Sequence, residues 1–542
     1  MGGQELDIRP QVYKLLSGTR EAIVHQNQAP IRTTPLTLNP LPRRPSLFCA
    51  GCLVMALLLA QPAAAQDLPD FGDSAGGIIS PEQERRLGED LLRHLRSHAH
   101  LIEDPEIEAY VGSMGTRLVT QSDYRARRPF TFFLVDDPAI NAFAAPGGFI
   151  GIHSGLILHT QAEAELAGVL AHEIAHVTQR HMARSFERAS QLSIPVAAAM
   201  LGALLLGTQN PEAGQAALAA ISAGSVQNRI DFTRANEEEA DRVGMQTLVR
   251  SGFDPMGIPA FFERLQRANR LSENAELPEF LRTHPVTVSR ISDARSRADQ
   301  LPRGSYQDSM GFYLMRAKLQ VSAMQRPLAA VEYFATRIKG TSGGAGQAAR
   351  YGYALALTKA AQHDKARSEI QALLRADGEQ PAYLLAAARL DLAAGRTPAG
   401  LTVYRNLLGL YPGYRPAVLG YVEALMAAGK PRDALKVLGD YARDHERDLT
   451  YYRLLAEAEG KAGAVVEAQI AMAEQRFLSG ETELACEQLR FAQRSRTTDH
   501  YQRERIAARL KELARQLARE REERDESDWI VRRGPCTVEP SS

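Results

Sequence analysis

At 542 residues the chain exceeds what one hydrophobic core can fill, so two or more domains are expected. Apolar residues make up 44% and charged residues 24%, and 64 Lys plus Arg cancel 64 Asp plus Glu, a balance typical of soluble protein. A nucleic-acid-binding domain would normally show a basic excess on one face, whereas charges of both signs are mixed along this chain, so no nucleic acid is expected as a partner.

Residues 1–42 are Pro-rich and receive no structural assignment. Arg43 and Arg44 precede the apolar run from Leu47 to Ala60, and Pro62-Ala63-Ala64-Ala65-Gln66 follows. This is the pattern of a secretory signal peptide, with Ala63 and Ala65 as the small residues before cleavage. Residues 1–65 are therefore read as extension plus signal, and the mature chain as an exported protein starting at Gln66. A membrane anchor is the competing reading, although the run is too short to span a bilayer; a lipoprotein at Cys52 is disfavoured because little apolar sequence precedes it. After cleavage only Cys486 and Cys536 remain, as one disulfide or as two unpaired thiols.

From about residue 80 to 300, within an expected first domain of residues 66–300, the sequence mixes strand and helix signals. Residues 129–135, with Phe130, Phe132, Phe133 and Val135, predict a strand that Asp136-Asp137-Pro138 ends. Pro146-Gly147-Gly148 predicts a turn feeding a second strand over 149–152. A helix is predicted over 162–180, where Leu166, Val169, Leu170, Ile174 and Val177 recur at helical spacing. Two nearly all-apolar runs, 194–207 and 216–223, are too short to span a membrane. They read either as a hairpin over the active site, in peripheral contact with a membrane surface or hydrophobic substrate, or as buried core helices.

Beyond about residue 306 the chain becomes almost continuously helical. Ala393-Ala394-Gly395 recurs as Ala427-Ala428-Gly429, and Gly463 follows Gly429 by 34 residues, the period of tetratricopeptide repeats. A small residue lies five positions after each glycine, at Gly400, Ala434 and Ala468, and Ala366 continues the series upstream. Residues 301–495 are thus predicted to form a repeat stack with a concave binding surface, in preference to a generic Ala-rich bundle. Residues 496–542 alternate in charge and predict a solvated helical tail.

The chemistry concentrates in His172-Glu173-Ile174-Ala175-His176. Two imidazoles at i and i+4 share a helix face and can bind one metal ion, while Glu173 stands beside the metal as a base for water whose pKa the ion lowers. A catalytic zinc needs a third protein ligand. Glu237, in Asn236-Glu237-Glu238-Glu239-Ala240-Asp241, is the candidate, and Asp241 on the same face can orient a ligand imidazole; Glu238 and Glu239 are read as pointing elsewhere. No competing nucleophile emerges, since Gly151-Ile152-His153-Ser154-Gly155 is not a Gly-x-Ser-x-Gly elbow.

From about residue 80 to 300 the chain resembles the gluzincin metallopeptidases of the CAAX prenyl endopeptidase family, and most nearly its periplasmic members with C-terminal repeats. The likeness rests on residues 141–148, His172 to His181, Glu237 to Arg242 and Thr283-His284-Pro285. It implies one Zn2+ per chain on His172, His176 and Glu237, base catalysis by Glu173 and support from Asp241. It further implies that Asn141, Ala142, Pro146, Gly147 and Gly148 border a peptide-binding strand edge, and that His284 gates the site or adds a fourth ligand. A structural turn and simple packing are the competing readings of these last two features.

The expected fold is mainly α: an α+β zincin-like metallopeptidase domain with a small sheet, then an α-solenoid of tetratricopeptide repeats. The expected function is a zinc endopeptidase of the periplasm that degrades misfolded or stalled envelope proteins. Its repeats are expected to recruit substrate or the outer-membrane β-barrel assembly machinery. The alternative is a chaperone or assembly scaffold with a latent or structural metal site.

Overall fold

The computed structural model describes residues 80–124, 129–185, 187–188, 233–271, 279–302 and 304–532. The predicted signal segment, the apolar runs at 194–207 and 216–223, and Cys536 lie outside them. Cys486 is buried and in no disulfide among the described residues.

Local sequence sets the helix starts around the sheet. Helix α1, Pro81–His98, opens with a capping box in which Ser80 accepts from the Gln83 amide and the Gln83 side chain accepts from the Ser80 amide. Helix α2, Pro105–Gln121, starts on Asp104, whose carboxylate accepts from the amides of Glu106 and Ile107. Proline holds the first turn of both.

Three strands follow in the order β1-β3-β2. Strand β1, Thr131–Val135, pairs in parallel with β3, Phe149–His153, placing Thr131 opposite Phe149. Strand β2, Ala142–Ala145, runs antiparallel to β3 with Ala142 opposite Ile152, and forms one edge of the sheet. The sequence predicted β1 and β3 but not β2, because Ala-Phe-Ala-Ala holds a single strong strand former and is selected by pairing. The turn between β2 and β3 uses Gly147 at φ 74°; a Cβ there would lie 2.5 Å from Arg85 Cα, so α1 can pack on this turn only because the residue is glycine.

A short helix α3, Ser154–His159, leads to α4, Glu163–Thr178, shorter than the predicted 162–180. Every residue of α4 from Glu163 to Ala175 is buried. Its continuation breaks at Arg180, which adopts φ 53°. Helix α5, residues 233–250, crosses α4 closely. Ala175, Ala240 and Val243 form the contact, and a Cβ on Gly244 would stand 3.1 Å from the His172 amide nitrogen. Helices α6, Gly257–Leu271, α7, Glu279–Thr283, and α8, Val288–Asp299, complete this region.

Paired helices then stack from Met310 onward, among them Pro381–Ala393 with Thr397–Leu410, Arg415–Ala427 with Pro431–Tyr441, and Leu449–Ala462 with Val465–Leu478. One buried cluster runs from Ile107 and Leu170 through Phe334 and Tyr351 to Leu390, so the first repeats share a core with the region that precedes them. Within that interface Glu106, 1% exposed, accepts from Lys318 and Arg389 and, at 3.4 Å, from the Tyr351 hydroxyl. Removing one member of such a buried network strands the remaining charges.

The helix His500–Arg532 is less solvated than its charge pattern suggests. Ile506 and Leu513, each 1% exposed, pack with Cys486 and Leu489, and Gln516 donates to Asp90 of α1 at 3.3 Å. Ile506, Leu510 and Leu513 face inward there at helical spacing, a stripe that the densely alternating charges around it mask in the sequence. Among the described residues, no helix is long and apolar enough to cross a membrane.

The 34-residue period has a backbone cause. Gly395, Gly429 and Gly463 end their helices at φ 74°, 71° and 84°. The following amide reaches back five residues each time, as in Arg396 N to Asp391 O, the closure of a Schellman cap. One period upstream, Ala361 takes φ 57° with the same closure, Gln362 N to Leu357 O. A Cβ in this region costs about 1–2 kcal/mol, partly offset by the greater freedom of an unfolded glycine. Ala361→Gly is therefore expected to stabilise the chain by about 0.5 kcal/mol, read as a higher urea midpoint; a lower midpoint refutes the strain.

Candidate metal centre

Helix α4 carries His172, Glu173 and His176. A spacing of four turns both imidazoles toward α5, and the close crossing at Gly244 brings Glu237 and Asp241 under them. His284 follows α7: its amide donates to Phe280 O at 2.7 Å, and its ring stacks on Phe280 with centroids 4.9 Å apart.

These side chains converge tightly. His172 Nε2 lies 3.1 Å from His176 Nε2 and 3.4 Å from both His284 Nδ1 and Glu237 Oε2. Glu237 Oε1 is 3.4 Å from His176 Nε2, and both its oxygens are 3.0 Å from His284 Nδ1. One donor atom from each of His172, His176, Glu237 and His284 lies within 4.8 Å of the other three. Three imidazoles and a carboxylate are a donor set suited to a borderline metal such as zinc.

Asp241 supports the cluster from behind. Its Oδ1 is 3.0 Å from His172 Nδ1, leaving the Nε2 of that ring to face the other donors. Arg290 grips Asp241 through two bonds of 2.7 and 2.8 Å, and its third nitrogen stands 3.0 Å from Glu237 Oε2. The sequence did not point to Arg290, since a lone arginine six residues after His284 belongs to no motif. It also set Glu239 aside, yet Glu239 Oε2 lies 3.1 Å from His181 Nε2 at the rim of the cluster.

Charge is held here against burial. Burial pushes Glu237 up, but hydrogen bonds from His172, His176 and His284 outweigh it and hold the carboxyl well below the usual range. Burial alone would lower His172, yet bonds to Asp241 and Glu237 raise it to about 10, whereas burial leaves His176 at about 3. The carboxylates thus attract one positive charge to the cluster, and a metal ion competes with the His172 proton for that place. Glu173 is 1% exposed and burial raises its carboxyl. The Ala144 backbone faces this carboxyl, and His284 Nε2 stands 3.5 Å from Oε1.

The cluster opens into a cavity of about 370 Å3 walled by Leu87 of α1, Phe143, Pro146, Val177 and Met182. Of the predicted strand edge, Pro146 and Gly147 reach this wall, together with Ala144 and Ala145. Asn141, Ala142 and Gly148 are buried and do not line it.

Residues 105–298 match peptidase family M48, and residues 391–458 match the tetratricopeptide repeat. The β-barrel assembly-enhancing protease of Escherichia coli strain K12 is 37% identical over 473 residues, covering 86% of this chain and 96% of that protein. The chain belongs to peptidase family M48. It is a metalloendopeptidase, and its buried three-histidine, one-glutamate group could hold the metal that its family uses. Other M48 relatives include the β-barrel assembly-enhancing protease of Yersinia pestis, 38% identical over 80% of this chain and 87% of that one. The mitochondrial metalloendopeptidase OMA1 of Arabidopsis thaliana is 32% identical over 28% of each chain. Among solved structures, the APC/C hetero-tetramer Cut9-Hcn1 covers 67% of this chain and 83% of its own at 11% identity, with a TM-score of 0.22, too low to bear on the fold.

If Asp241 orients His172, Asp241→Ala should weaken binding of a divalent metal by about 10–100-fold in chelator competition. Exposed Glu238→Ala should leave it unchanged. Equal affinities in the two variants would remove Asp241 from the site.

Proposed function

We propose that this chain is a zinc-dependent endopeptidase of the periplasm that degrades misfolded or stalled envelope proteins. One Zn2+ per chain sits on His172, His176 and Glu237, Glu173 is the catalytic base, and Asp241 holds His172. The observation that carries this reading is the Glu173 carboxyl buried beside four convergent donors. A carboxylate buried this deeply is costly and is retained where chemistry needs it.

When bound, the metal supplies a Lewis acid that polarises the scissile carbonyl and acidifies the attacking water. Burial raises the proton affinity of Glu173, which suits a group that takes the water's proton and returns it to the leaving amine. The β2 edge, with Ala144 to Gly147 on the cavity wall, can hold an extended peptide by main-chain hydrogen bonds. The repeats, residues 301–495, would gather unfolded envelope substrates or dock on the outer-membrane β-barrel assembly machinery. The names of the Escherichia coli and Yersinia pestis relatives favour that partner.

The position of His284 favours a second reading, a chaperone or assembly scaffold whose peptidase site is normally latent. Its Nδ1 sits against Glu237 and its Nε2 faces Glu173, where an incoming carbonyl or water would have to pass.

Glu173→Gln is expected to keep bound zinc while peptide cleavage falls by about 100-fold or more. If the variant cleaves normally, the base lies elsewhere; if it is inactive yet fully restores envelope assembly in cells, scaffolding is the principal role. His284→Ala should change the rate of casein or peptide cleavage, and unchanged rate and metal affinity would exclude His284 from gating.

A further inference from the structure

Every ligand imidazole has two nitrogens, and the outer one decides which tautomer faces the metal. His172 has a carboxylate for this purpose; His176 does not. Its Nε2 faces Glu237 and His172, and its Nδ1 points away, to a nitrogen of another histidine: His181 Nδ1 at 2.8 Å. The two rings meet edge to face, with centroids 4.8 Å apart and planes at 83°.

We infer that His181 is a positioning residue for His176, and that His181 and Glu239 together lock the tautomer that presents His176 Nε2 to the metal. With the metal on Nε2, the proton of His176 must sit on Nδ1, so His181 Nδ1 has to accept it. His181 must then carry its own proton on Nε2, and that nitrogen faces Glu239 Oε2 at 3.1 Å. Glu239 is fixed in turn by Arg184, whose Nη2 donates to the same oxygen at 2.6 Å. Donation therefore runs in one direction, from His176 to His181 to Glu239, with Arg184 closing the chain.

The backbone is bent to make this contact. In an unbroken helix His181, five residues after His176, would point about 140° away from it. The left-handed turn at Arg180, φ 53°, redirects the chain, and residues 181–185 restart a helix that places His181 against the cluster at 3% exposure. Conformational strain at a non-glycine residue persists where the surroundings impose it, here by bringing an acceptor to a ligand histidine. The two ligand rings are thereby supported unequally, His172 by the charged Asp241 and His176 by a neutral imidazole one step removed from its carboxylate.

This inference rests on the ligand set proposed above and is tested on the mature full-length chain by Zn2+ affinity in chelator competition and by the visible spectrum of the Co2+ form. His181→Phe fills the same space without an acceptor and should weaken Zn2+ binding by about 10–100-fold and alter the Co2+ spectrum. His181→Asn, whose Oδ1 can stand where Nδ1 stood, should recover most of the affinity, a rescue that a purely packing role would not show. Wild-type affinity and spectrum in His181→Phe would overturn the assignment. Should that variant fail to fold, Glu239→Ala decides, because the Glu239 side chain is 28% exposed and its removal leaves the core intact. Weakened metal binding supports the chain of donation, and unchanged binding overturns it. A wild-type chain that binds no zinc would instead overturn the ligand set itself.

Discussion

The close crossing of α4 and α5 is the contact on which the centre depends. Ala175, Ala240 and Gly244 remove side-chain bulk at the crossing, and only then do Glu237 and Asp241 reach His172 and His176. Putting two carboxylates in a buried site is unfavourable unless each meets cationic or hydrogen-bonding partners. Here His172, His176, His284 and Arg290 meet that requirement together. The geometry that suits a metal is also the geometry that makes burial of these acids tolerable, so packing and chemistry are set by the same contact.

The rest of the chain holds that crossing in place. Arg290 reaches from α8 to both acids, and Phe280 supports the ring of His284. On the other side of the cavity, α1 lies on the Gly147 turn and contributes Leu87 to the wall, so the segment before the M48 match also shapes the site. The buried Glu106 network and the shared core extend this order into the first repeats. The first repeats are thus packed directly on the metallopeptidase core.

How much of this could be read from the chain depended on whether the information was local. The motif on α4 was legible because a spacing of four on a helix has one geometric meaning. The repeats were legible because a left-handed turn needs glycine, and glycine at a 34-residue interval leaves a visible mark. Strand β2 was not, since Ala142–Ala145 becomes a strand only through its pairing with β3. Arg290, Glu239 and the role of His181 were hidden for a similar reason. Each acts through a partner 49, 58 or five residues away, and the last only because Arg180 redirects the chain.

The sequence by itself determined the chemical types and the local frames: the two histidines and the glutamate on one helix, an acidic second helix, the caps and the repeat period. These follow from backbone geometry and side-chain chemistry within a few residues. Tertiary structure alone decided which acid faces which imidazole, that Arg290 pairs with both acids, that His284 enters the donor cluster, and that the charged C-terminal helix buries one face and returns to α1. Those outcomes depend on desolvation and close packing between distant segments, and neither can be evaluated until the segments touch.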